Sequence, residues 1–171
     1  MRHLLLLRHA KSSWDDASLA DFDRPLASRG REAAPLMGRE LVRRGWLPEL
    51  ALVSPAARTR ETWALVAAEL AHSPPATFAE LLYEASAETV LTEVRRTAKN
   101  VRVLLLIGHN PGLEDFARLL AGDGSDAKAL ARLHQKFPTA ALARFKFQGT
   151  WAGLDAGAAR LSHFFGPKDL G

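Results

Sequence analysis

The sequence predicts an α/β sandwich with a mostly parallel central sheet, and three observations carry that prediction. Residues 4–7, 50–53 and 101–107 are short apolar runs with the unbroken hydrophobicity of strands buried on both faces. Each run leads into a turn and then into a segment whose apolar residues recur at helical spacing, the alternation that builds parallel sheets. The last third of the chain differs. Residues 140–147 and 158–165 read as two strands around a glycine-containing loop at a sheet edge.

Taken in order, residues 4–7 (LLLL) form the first strand. A helix is predicted over Ser28–Arg44, with Ala33, Leu36, Met37, Leu41 and Val42 on one side and Gly45 as its stop. The second strand, 50–53, is followed by a helix over 61–70 carrying Ala64, Leu65, Ala68 and Leu70. Pro74 and Pro75 mark a break. Residues 86–97 form a third helix, with Ser86 as N-cap and Val90, Leu91 and Val94 turned inward. The third strand, 101–107, precedes a helix over 113–120, and residues 122–128 (GDGSDAK) are expected to be a mobile loop. With no internal repeat or low-complexity segment, one domain is expected over residues 1–171.

Composition excludes several classes. A chain with 47% hydrophobic and 25% charged residues is ordinary for a globular protein. No apolar run approaches the roughly 20 residues of a membrane span, so no membrane partner is expected. No small-residue cleavage site follows the N-terminal leucines, so no signal peptide is expected. The absence of cysteine removes disulfides and thiolate metal sites and makes a reducing cytoplasm the expected compartment. The net charge of +4 comes from basic residues spread along the chain, without the Lys/Arg blocks of a nucleic-acid binder. No nucleic-acid partner is expected, and oligomeric state is not read from the sequence.

The informative residues follow the three apolar runs. The first ends in Arg8-His9, the second in Ser54-Pro55-Ala56-Ala57-Arg58 and the third in Gly108-His109-Asn110-Pro111-Gly112. Open α/β sheets bind ligands beyond the carboxyl ends of their strands. If these strands are parallel neighbours, Arg8, His9, Arg58 and His109 share one rim. Ser54-Pro55 and Asn110-Pro111 each place a capping residue before a proline, the expected opening of a helix whose N-terminus favours anions. Two arginines and two histidines at one rim point to a phosphoryl group, whose oxygens an arginine fork matches bidentately. No HExxH motif or P-loop is present, and arginines beside both histidines would repel a cation, so no metal and no cofactor are expected. Ser12 either touches phosphate through its hydroxyl or caps the local turn. His3, His72, His134 and His163 lack a strand-end setting and are expected to be structural or exposed.

"LLLLRHAKSSW" resembles the RHG-type signature of the histidine phosphatase superfamily, whose fold is the phosphoglycerate-mutase-like three-layer α/β/α sandwich. "LVSPAARTRETW" and "LLLIGHNPGLEDFA" are similar to its second and third motifs. "DFDRPLASRGREAA" and "KFPTAALARFKF" extend the likeness to the small SixA-type phosphohistidine phosphatases, over residues 2–147. The resemblance implies that His9 is a nucleophile forming a phosphohistidine intermediate. It implies that Arg8 and Arg58 hold the phosphoryl oxygens and that His109 adds a hydrogen bond. Ala10 departs from the glycine usual after the nucleophile, a small change not expected to abolish activity. Larger relatives use a carboxylic acid on the leaving oxygen, and in "AELLYEAS" Glu84 is the positional candidate, with Glu80 behind it; both could equally be solvated loop carboxylates. The expected activity is that of a metal-independent phosphatase acting on a phosphohistidine-bearing protein. The alternatives are a phosphatase for small phosphate esters and a non-catalytic basic module binding nucleic acid or phosphopeptide.

Overall fold

The computed structural model describes residues 1–170 and contains one six-stranded sheet in the order β3-β2-β4-β1-β5-β6. The strands are β1 (Arg2–Arg8), β2 (Leu50–Val53), β3 (Ala76–Phe78), β4 (Val103–Gly108), β5 (Leu142–Phe147) and β6 (Arg160–Phe165). The helices are α1 (Ser28–Arg44), α2 (Ala57–Ala67), α3 (Ala87–Arg95), α4 (Gly112–Leu120) and α5 (Ala127–Gln135). β1 lies parallel to β4, β4 to β2 and β2 to β3; β5 returns antiparallel against β1, and β6 closes the edge antiparallel to β5.

The four consecutive leucines of β1 are buried because both faces of the strand are covered. Leu4 and Leu6 join Leu104 and Leu106 in a core built with α3, α4 and α5. Leu5 and Leu7 join Leu105 and Ile107 in a second core against α1 and α2. Successive side chains of a strand point to opposite faces, so an unbroken apolar run is what a three-layer sandwich requires of its central strands. The phosphoglycerate-mutase-like α/β architecture expected from the sequence is the architecture observed.

Element boundaries agree with the sequence where the punctuation is strong. α1 ends at Gly45, which adopts a left-handed φ of 71° and donates its N–H back to Leu41 and Val42. Ser86 caps α3, its hydroxyl oxygen accepting from the Thr89 N–H at 3.2 Å. Three readings need correction. α2 starts at Ala57 rather than residue 61, because its first turns bury polar side chains, Arg58, Thr59 and Thr62, which carry no hydrophobic period. The GDGSDAK stretch is not a loose loop throughout. Gly122 donates to Ala159, Asp126 donates to Leu161, and the Asp126 side chain caps α5 through Ala129. Ser54 does not open a helix, since α2 begins after Ala56; α4 begins after Pro111, one residue later than expected, and the Asn110 side chain still accepts from the Glu114 N–H of its first turn at 3.3 Å. β3 was not anticipated; with two exposed residues in three, it presents no apolar run. Among the described residues no helix is long and apolar enough to cross a membrane.

Candidate active site

The parallel register brings three strand ends to one rim. Arg8 pairs with Gly108 across β1 and β4, and Val53 pairs with Ile107 across β2 and β4. Residues that follow these tips therefore converge. The His9 and His109 rings lie 5.4 Å apart, centroid to centroid. Arg58 enters from the first turn of α2, directly after β2.

His9 is buried, and its Nδ1 lies 2.7 Å from the Ala10 carbonyl oxygen. A carbonyl oxygen only accepts, so the proton of the neutral ring is on Nδ1 and the lone pair is on Nε2. Burial pushes the His9 pKa down to about 4, more strongly than the Ala10 hydrogen bond raises it; the charges of Arg8, Arg58 and Arg24 lower it further. The arginines act in the same direction as burial, but desolvation is the larger cause. The loop behind the ring is fixed, with the Ala10 N–H donating to Thr62 Oγ1 at 3.1 Å and the Thr62 hydroxyl donating to the Arg58 carbonyl at 2.7 Å.

His109 has a pKa lowered to about 3, first by burial and then by the charges of His9 and Arg58. Its Nε2 lies 2.7 Å from Ser54 Oγ. Ser54 is fully buried, so the hydroxyl expected to cap a helix orients this imidazole instead. When Ser54 donates to Nε2, the ring proton sits on Nδ1. That atom is buried with no partner among the described residues, an orphan that a bound group can satisfy.

The arginines are held by backbone and by one carboxylate. Arg8 donates to the Phe137 carbonyl at 3.0 Å, which also accepts from Asn110 Nδ2 at 3.0 Å. Arg58 donates to the Asp21 carbonyl at 2.8 Å and to Asp21 Oδ2 at 3.0 Å. Asp21 also accepts from Arg24 at 2.9 Å and from the Tyr83 hydroxyl at 2.5 Å. The Tyr83 hydrogen bond, followed by those of Arg58 and Arg24, outweighs desolvation and holds the Asp21 carboxyl at about 2. Tyr83 in turn sets its ring edge-on to His109 at 5.6 Å. Asp21, Arg24, Ser54 and Tyr83 were missed as site residues. Asp21 and Arg24 sit within the quoted "DFDRPL" stretch, and Ser54 was seen but assigned a capping role; Tyr83 carries no sequence signal.

The remaining candidates separate. Ser12 Oγ accepts from Arg24 at 2.6 Å, which ties the loop after β1 to the site's third arginine. Glu84 is exposed, has a left-handed φ of 56°, and lines a cavity of about 780 Å³ with Arg58, Tyr83 and His109. Glu80 lines a different cavity, beside Leu50 and Glu93, and is not brought to the site. Arg8, His9, Arg58 and His109 thus gather an imidazole lone pair and guanidinium groups at one rim. That combination suits a tetrahedral oxyanion.

Comparison with known proteins agrees with this arrangement. The profile of the histidine phosphatase superfamily (branch 1) matches residues 4–101. An uncharacterized protein of Mycobacterium tuberculosis is 41% identical over 95% of this chain and 100% of its own length. Among solved structures, the proposed phosphohistidine phosphatase SixA of Nakamurella multipartitia superposes with a TM-score of 0.83 at 30% identity, covering 97% of this chain and 96% of that one. The proposed SixA of Agrobacterium tumefaciens gives 0.82 at 29% identity, covering 97% and 98%. The chain belongs to the histidine phosphatase superfamily, branch 1, on its SixA-like side, and is a phosphatase.

Proposed function

We propose that the protein is a metal-independent protein phosphohistidine phosphatase working through a covalent phosphohistidine at His9. The observation that carries this reading is the Nδ1–Ala10 hydrogen bond, which leaves His9 Nε2 as a lone pair near the charges of Arg8 and Arg58 and the His109 ring. Nε2 attacks phosphorus while the bond from phosphorus to the leaving nitrogen breaks, and the leaving imidazole keeps or takes up one proton. Arg8 and Arg58 hold the phosphoryl oxygens, and His109 adds a hydrogen bond to the same group. Water then attacks the phosphorus on His9, giving phosphate, a proton and the original imidazole.

Two features favour phosphohistidine over an ester. The two solved relatives at about 30% identity bear the name phosphohistidine phosphatase. An imidazole leaving group, with its ordinary pKa of ~6.5, departs without a strong general acid, whereas an alkoxide needs one. Glu84, the acid candidate of the sequence, is exposed and makes no hydrogen bond through its carboxylate among the described residues. The roomy cavity beside it favours a second reading, hydrolysis of small phosphate esters, in which Glu84→Gln would slow ester turnover alone.

The decisive experiment incubates the protein with a phosphohistidine-bearing carrier protein and with sugar and aryl phosphates, with and without chelator. Wild type is expected to release phosphate from the phosphohistidine protein in both conditions and to trap label on His9 on acid-free quenching. His9→Ala is expected to lose turnover and labelling completely with an unchanged circular dichroism spectrum. Full activity in that variant would end the proposal, and exclusive ester hydrolysis would transfer it to the second reading.

A further inference from the structure

The rim that carries the two histidines is electrically bipolar. On the β3-β2-β4 side, the cavity of about 780 Å³ that reaches Arg58 and His109 is also walled by Glu84, Glu88 and Asp115. All three are exposed, and none has a salt-bridge partner among the described residues.

The β1-β5-β6 side carries the opposite sign. A second cavity, of about 440 Å³, is lined by Lys11, Arg29, Lys136 and Lys168 over an apolar floor that includes Phe164. These four cations are also exposed and unpaired among the described residues; the remaining charges of this wall, Arg132 and Asp169, bond to each other. The sheet register places both cavities at the same end. Leu142 at the start of β5 lies opposite Leu7, near the tip of β1, and Phe165 at the end of β6 lies opposite Leu142. Lys11 is two residues beyond His9, and Lys136 precedes Phe137, whose carbonyl holds Arg8. The basic wall therefore begins where the phosphate cup ends.

We propose that this rim is a docking surface for the phosphohistidine protein and selects partners with an acidic patch on one side of the phosphorylated histidine and a basic patch on the other. The inference rests on the phosphohistidine reading. Six strands about 4.8 Å apart span roughly 24 Å. The two charged walls line separate cavities, and a protein face is broad enough to meet both at once. A uniformly basic rim would attract any polyanion; two walls of opposite sign discriminate orientation as well as charge. Single exposed ion pairs contribute little, so the selectivity comes from the patches acting together. The carboxylate wall also disfavours small esters that carry additional negative charge.

The probes are fluorescent seven-residue peptides with a central phosphohistidine, which extend to roughly 23 Å. Their flanks are three glutamates and three lysines in either order, six glutamates, six lysines, or six serines. Binding to the His9→Ala protein is read by fluorescence anisotropy, and phosphate release is measured with the unmutated enzyme. The better of the two mixed-charge peptides is expected to bind about tenfold more tightly than the serine peptide, and the advantage is expected to vanish by about 0.5 M salt. Introducing Lys136→Glu and Lys168→Glu together should erase that preference in the His9→Ala background. In the catalytic enzyme, the same pair should leave hydrolysis of free phosphohistidine unchanged. Glu88→Gln with Asp115→Asn should erase the preference in the same way. Equal binding of mixed and serine peptides would overturn the proposal, and so would an all-glutamate peptide binding as tightly as the mixed one. Absence of phosphate release from every probe would remove the phosphohistidine reading, while the anisotropy series would still judge the rim.

Discussion

At the scale of single residues, the His9 ring is defined by one backbone acceptor and by burial. The Ala10 carbonyl fixes its proton on Nδ1, and burial against the sheet end keeps the charged form out of reach until about pH 4. The acid limb of kcat/KM should accordingly have its midpoint near 4 rather than near the ~6.5 of free imidazole. Initial rates corrected for spontaneous hydrolysis of the P–N bond would show this, and a midpoint near 6.5 would mean that His9 works as a solvated ring. Arg8, His9, Arg58 and His109 were legible in the sequence because each follows an apolar run, and position after a strand is a signal one chain can display. Asp21 and Tyr83 were not legible. They reach Arg58 and His109 from separate loops, and no spacing rule connects a carboxylate at 21 with a phenol at 83.

Between elements, the site depends on close backbone approach. A Cβ on Gly112 would come within 1.9 Å of the Ala85 carbonyl oxygen, and a Cβ on Gly30 within 2.2 Å of the Lys11 carbonyl oxygen. These glycines let α4 seat against the segment carrying Tyr83 and Glu84, and let α1 seat against the loop behind His9. Gly112→Ala is expected to cost about 1–3 kcal/mol, the range for an overpacked contact, with a Tm several degrees lower and a reduced kcat/KM from displacement of residues 83–86. An unchanged melting curve would show that the contact relaxes freely. Strands β1, β2 and β4 were readable for the same reason that they are central, since burial on both faces leaves an unbroken apolar record. β3 at the edge and the polar start of α2 leave none. α5 did carry a readable signal in the Asp126 cap, but the glycines before it suggested a loop over its first residues.

For the molecule as a whole, the buried histidines link catalysis to acid stability. Both His9 and His109 have folded-state pKa values below the 6.5 of the exposed ring, at about 4 and about 3. The unfolded chain therefore binds more protons than the folded one below about 6.5, and stability falls as pH is lowered from there through 4 toward 3. Asp21 and Glu40, both lowered to about 2 by hydrogen-bonded partners, extend the loss to lower pH, since their stabilisation is present above the ordinary carboxylate range and disappears as they protonate. Thermal melts between pH 7.5 and 3.5 are expected to show Tm declining already between 6.5 and 4.5, above the carboxylate window. His9→Ala should shrink that early decline, and a flat Tm down to pH 4.5 would contradict the buried neutral state of both rings.

One acceptor at the rim belongs to no side chain. The Phe137 carbonyl receives Arg8 and Asn110 together, and so joins the ends of β1 and β4 to the chain entering β5. Every amino acid supplies the same oxygen, so the side chain at 137 bears on this acceptor only by anchoring the backbone, which the buried Phe137 ring does. Lengthening or shortening the peptide between α5 and β5 would move it. Two separate constraints therefore meet at this residue: the backbone bond fixes the length of the connection, and the Phe137 ring, buried in the core edge-on to Phe164, fixes its identity.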